Sequence, residues 1–157
     1  MSTIAPSPRI TPFLWFDNNA EEAASFYVGI FPNSRILDTV PNHPGTSPSA
    51  AKVITVNFEL DGIRFTALNG GPQFPFNESV SFVVHCATQQ EIDYYWERLT
   101  AEGGSEVQCG WLKDKYGVSW QVVPAHIAHL IRSRNVMLAL MQMKKLDIAT
   151  LERAAQE

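Results

Sequence analysis

Most conspicuous in this sequence is what it lacks. None of its 157 residues fall in an apolar run approaching the roughly 20 that a membrane-crossing helix requires. Its two cysteines, Cys86 and Cys109, are too few for a disulfide framework and do not form a CxxC pair. Two free thiols in a reducing cytoplasm are therefore the expectation. Positive charge is not in excess. Twelve Lys and Arg stand against 16 Asp and Glu, a net charge of −4, which gives nucleic acid or an anionic membrane no electrostatic hold. The one basic cluster, Arg132 to Arg134 with Lys144 and Lys145, reads as a solvated helix face. The N-terminal MSTIAPSPRI has no basic stretch followed by an apolar one, so no secretory signal is apparent. There is no Walker loop and no G-x-S-x-G elbow, and Gly70-Gly71 before Pro72 is a loop signal, not a phosphate cradle.

What is present is an ordinary globular composition, 45% hydrophobic and 18% charged, at a length that suits a single domain over 9–157. Within it lies an internal repeat. FLWFDNNAEEAASFY (Phe13 to Tyr27) and FVVHCATQQEIDYYW (Phe82 to Trp96) share one plan, an apolar strand, a polar turn and a helix ending in aromatics. The offset is 69: Asn19 aligns with Thr88 and Glu22 with Glu91. Both pairs have capping-box spacing, which predicts reciprocal capping of two helix N-termini. A second echo, at offset 55, aligns Asp61-Gly62-Ile63-Arg64-Phe65-Thr66 with Tyr116-Gly117-Val118-Ser119-Trp120-Gln121, each a glycine turn leading into a strand. Lys52 to Leu60 and roughly Ser105 to Lys113 read as the preceding strands. The shorter second offset means that the first copy carries extra loop, and PNHPGTSPSA (Pro41 to Ala50) is expected to be that irregular, mobile insertion.

The pattern predicts an α+β fold of two βαβββ modules, about 10–70 and 80–124, with a helical tail over 125–157. Helices are expected over His126 to Leu130, Asn135 to Met143 and Asp147 to Ala155, with Asp147 as the last N-cap. So short a tail must pack on the sheets or on another subunit. Met137, Met141 and Met143 are expected mainly to fill core.

These strings carry a resemblance. NNAEEAASFY, LNGG-x-x-F-x-F-N-E-S and above all CGWLKDKYGVSWQVVP resemble the PhnB-like branch of the vicinal oxygen chelate superfamily, the glyoxalase, bleomycin-resistance and dioxygenase proteins. Members of the branch commonly carry the name 3-demethylubiquinone-9 3-methyltransferase. The resemblance spans about Ile10 to Ala155. It implies glyoxalase-like sheets, antiparallel-rich and mixed, curled around a concave pocket, and a homodimer. The chemistry stays open, because the superfamily hosts enzymes and drug-sequestering proteins on one scaffold.

Metal-dependent members place one ligand, typically His or Glu, in the first and last strand of each module. The repeat locates these positions at Pro12, Thr66, Ser81 and Gln121. None belongs to the His, carboxylate or thiolate set that holds a divalent ion, so no metal cofactor is expected. His43, His126 and His129 have no carboxylate or thiol near them in the pattern and read as surface groups.

His85 shares the parity of Ser81 and should face the pocket, or else bond a neighbouring backbone group. His85 and Cys109 are the weak catalytic candidates. Cys86, next to His85, must point to the opposite face, and either thiol could equally be inert and buried. Phe16, Thr66, Ser81, His85 and Gln121 are expected on one face, with Trp111 nearby and with Asn69 and Phe74 to Asn77 at the mouth. Trp120 should point away. Such a lining suits a small, partly aromatic, largely uncharged ligand. Methyl transfer from S-adenosylmethionine in its common fold needs a glycine-rich strand-to-helix turn and an acidic ribose partner, and neither is found.

Overall fold

A computed structural model describes residues 8–157. Packing divides the chain into two compact units, one ending at Pro75 and the other running from Phe76 to Glu157.

The first unit contains β1 (Phe13–Phe16), α1 (Ala20–Ile30), β2 (Arg35–Pro41), β3 (Val53–Leu60) and β4 (Ile63–Asn69). The strand order is β1-β4-β3-β2, with β1 parallel to β4 and the other neighbours antiparallel. Alternation sends Leu14, Phe16, Val56, Phe58, Leu60, Phe65 and Ala67 to the face beneath α1. The helix answers with buried Ala20, Ala23, Ala24, Tyr27 and Ile30, whose small residues let it lie close. Tyr27 stacks on Phe58 at 6.4 Å, and Phe58 on Phe65 at 5.5 Å. Asp61 and Gly62, both at positive φ (49° and 80°), make the tight turn from β3 to β4.

The expected capping box at Asn19 does not form, for Asn19 makes no side-chain cap bond. The α1 N-terminus is capped instead from β4: Ala20 N–H donates to Asn69 Oδ1 at 2.9 Å, while Asn69 Nδ2 donates to the Val53 carbonyl at 2.9 Å. The insertion is tied down by its own side chains. Asn42 Nδ2 donates to the Ser49 and Ala51 carbonyls, and the Thr46 hydroxyl to the His43 carbonyl. Its first residue, Pro41, pairs with Val53 as the end of β2.

The second unit repeats the plan with β5 (Ser81–Cys86), α2 (Gln89–Thr100), β6 (Ser105–Glu106), β7 (Trp111–Lys113) and β8 (Ser119–Pro124), in the order β5-β8-β7-β6 with β5 parallel to β8. Neither sheet closes. The cap predicted at Thr88 forms, with Glu91 N–H donating to Thr88 Oγ1 at 3.2 Å, while the Glu91 carboxylate reaches one residue further back and accepts from Ala87 N–H at 2.9 Å. Ser105 to Lys113 is two short strands, not one. A tight turn breaks it at Cys109 and Gly110, whose φ angles are 62° and 81°. Buried Asp114 accepts from Tyr116 N–H, Val118 N–H and the Trp120 indole, which organises the loop that KDKYGVSW encodes.

The tail forms α3 (Ile127–Leu130), α4 (Arg134–Leu140) and α5 (Ile148–Ala155), with Asp147 capping the last as predicted (Thr150 N–H to Oδ1, 2.8 Å). It packs on its own module, where Leu130, Val136, Leu140, Leu146, Leu151 and Ala154 cluster with Val123 of β8. Met143 joins that cluster, but Met137 and Met141 are exposed, so the core-filling expectation holds for only one of the three.

Candidate functional site

Each sheet has one face beneath a helix and one turned away from it, and the second kind carries the polar candidates. In the second unit Ser81 lies opposite Ser119, Val83 opposite Gln121, and Gln121 opposite Trp111. Gln121 Nε2 donates to Ser81 Oγ at 2.9 Å. Trp111 is half-buried beside this pair, and His85, opposite Val123, is exposed on the same strand face. Ser81, His85, Trp111 and Gln121 are thus brought together on one face. Ser119, 1% exposed, sits among them, and its hydroxyl has no hydrogen-bond partner among the described residues. Trp120 points the other way, its indole on Asp114.

In the first unit the expected shared face breaks down. Thr66 lies opposite Phe13, and both belong to the helix-free face. Phe16 lies opposite Asn69, beneath α1, at 3% exposure, and Asn69 is fully buried as the helix cap. The reason is one residue of chain. β1 reaches α1 through three residues, Asp17 to Asn19, whereas β5 reaches α2 through two, Ala87 and Thr88. The helices therefore keep the offset of 69, but the strands before them differ by 70, and an odd slip exchanges the two faces of a strand. By pairing, Ser81 corresponds to Thr11, and Pro12 to Phe82. The residues that parity places on this face are Phe13 and Trp15. Trp15 is held by its indole N–H on the Gly71 carbonyl (2.9 Å) and by Phe74, edge-on at 4.9 Å. A Cβ on Gly70 would lie 2.3 Å from the same ring, so only glycine admits it.

The two thiols differ. Cys86 lies on the helix side and is fully buried; burial, with the negative charge of Glu91, pushes its thiol up to about 12. Cys109 stands at its tight turn, half-buried against the tail cluster, and its backbone N–H donates to the Met143 carbonyl at 2.7 Å. No hydrogen bond joins it to His85 among the described residues. Among the described residues, too, no three His, Cys, Asp or Glu side chains stand close enough to hold a metal ion. By this pairing Thr11 takes the place of Pro12, and Thr11, Thr66, Ser81 and Gln121 each lack the imidazole, carboxylate or thiolate that ordinarily holds a divalent ion. A cleft of about 400 Å³ opens elsewhere in the first unit, between Asp17-Asn18, the insertion at Pro48 to Ala51, and Gly71-Pro72. Sequence reasoning passed over it because its walls are loops without periodicity.

A family model described as 3-demethylubiquinone-9 3-methyltransferase matches residues 8–123. The chain belongs to this family. Within the fold it is similar to a PhnB protein from Bacillus cereus, 34% identical, covering 75% of this chain and 100% of that one with a TM-score of 0.68. Protein PA1353 from Pseudomonas aeruginosa is 22% identical over 74% of this chain and 96% of its own, with a TM-score of 0.59. The fosfomycin resistance protein FosX from Listeria monocytogenes is 15% identical over 78% and 95%, with a TM-score of 0.55. These last two show the fold alone. No curated protein sequence matches the chain. The family match stops where the tail begins, so α3 to α5 lie outside it.

Proposed function

We propose that this PhnB-like protein binds a small, partly aromatic and largely uncharged molecule on a sheet face turned away from α1 or α2, without a metal in direct contact. The observation that carries this reading is the pair formed by Gln121 and Ser81. Two positions at which metal-dependent relatives would keep ligands are joined by a neutral hydrogen bond and flanked by Trp111. An amide, a hydroxyl and an indole favour a ligand recognised by stacking and hydrogen bonding. We place it as a homodimer in the cytoplasm, on the grounds of the family resemblance and of two free thiols.

The family description favours a second reading, methyl transfer. The strand-to-helix connections, Asp17 to Asn19 and Ala87-Thr88, contain no glycine, so neither offers the turn that cradles a methyl donor in the common methyltransferase fold.

Native mass spectrometry of freshly purified protein reads subunit count, metal and co-purified molecule together. A dimer carrying a small organic adduct, lost in Gln121→Ala, is the expected result. Stoichiometric divalent metal that disappears in Gln121→Ala would overturn the reading.

A further inference from the structure

We infer that Asp38 and Asn57 lock Thr66 as a hydrogen-bond acceptor, so that the molecule held on the first sheet presents a donor there, a hydroxyl or N–H beside an apolar body. This deepens the binding reading and rests on it.

Phe13, Thr66, Asn57 and Asp38 lie side by side across all four strands on the helix-free face. A bulge between Ile36 and Asp38 shifts the β2 register and sets Asp38 opposite Asn57. Asn57 Nδ2 donates to Asp38 Oδ1 at 2.6 Å, and Thr66 Oγ1 donates to Asn57 Oδ1 at 2.6 Å. The direction of this relay is set at one end. A carboxylate only accepts, so the amide must turn its NH2 toward Asp38; the flipped amide would put two oxygens 2.6 Å apart. The amide oxygen then faces Thr66 and takes that hydroxyl's only proton. What Thr66 has left is lone pairs.

A threonine hydroxyl ordinarily rotates to donate or accept as a ligand requires. This one has lost the choice. Thr66 is 8% exposed, so a bond to it forms largely out of water, where its presence or absence counts for more. Phe13, directly opposite and 57% exposed, offers an apolar surface beside the acceptor. The second sheet is wired differently. There Ser81 receives a hydrogen bond from Gln121 and keeps its own proton, so the donor requirement belongs to the first face.

Phenol and anisole test this, because they share a ring and differ in the donor. Both are titrated into the full-length protein while the amide and indole resonances of the first sheet are followed by NMR. Phenol should bind about tenfold or more tightly than anisole, as one hydrogen bond to a buried acceptor implies. Thr66→Val should bring phenol down to the anisole level, so that the two probes bind alike. Asp38→Asn, an exposed change that spares the core, should narrow the ratio, since the amide is then free to turn. Equal binding of the two probes, or a ratio unmoved by Asp38→Asn, would overturn the inference and leave the binding reading standing. Failure of both probes to perturb this face would overturn the binding reading itself, and this inference with it.

Discussion

Asn69 uses both ends of its amide inside the protein. It accepts from the first N–H of α1 and donates to a β3 carbonyl, and it is fully buried. Its replacement by Ala strands a buried donor and a buried acceptor at once, and should cost about 2–3 kcal/mol in urea unfolding, more than an exposed cap would. Asn69→Asp keeps the acceptor but sets a carboxylate oxygen against the Val53 carbonyl, so it should be no milder. Cys86 offers a second prediction, with a definite sign. Its thiol pKa is raised from an ordinary 9.0 to about 12. Between those values the unfolded chain has released this proton and the folded one has not. Its contribution to stability is therefore whole below pH 9 and is lost as pH climbs through 12. Chemical denaturation across that range should show a fall in stability that is shallower in Cys86→Ala. For the same reason iodoacetamide at pH 8 should leave Cys86 unmodified until the protein is unfolded.

At the scale of elements, the tail is fastened to the second module by backbone as well as by side chains. Cys109 and Gly110 donate to the Met143 and Lys144 carbonyls, and Lys145 pairs with Asp93 at 2.8 Å. Gln89, in the first turn of α2, reaches both sides of the α5 N-terminus: Nε2 donates to the Leu146 carbonyl and Oε1 accepts from Ile148 N–H. Gln89→Ala should loosen α5 by about 1–2 kcal/mol while leaving the first unit unchanged. Hydrogen exchange at the α5 amides reads that directly. The helices themselves were legible in sequence, because 3.6-residue spacing and Asp147 announced them. Their docking was not, since apolar spacing gives a helix a buried face without naming what buries it. The strand pattern met a similar limit. Alternation showed two faces to β1, but which of them meets the helix depends on one extra residue in the connection to α1, and that exchanged Phe16 for Trp15.

For the molecule as a whole, the tail belongs to a hydrophobic cluster that includes Val123 of β8. A chain ending at Pro124 should therefore melt at clearly lower temperature, in a transition assigned to the second unit, and not keep the stability of the full-length protein. Differential scanning calorimetry of the truncated and full-length proteins distinguishes these outcomes. The βαβββ repeat, the glycine turns and the cap at Thr88 were all set by local sequence, because each depends on the chemistry of a few neighbouring residues. Tertiary structure alone decided that Asn69 caps α1, that Asp38 and Asn57 hold Thr66, and that Ser81 meets Gln121. Those partners lie 9 to 49 positions apart, and only strand register, which a single residue can shift, brings them face to face.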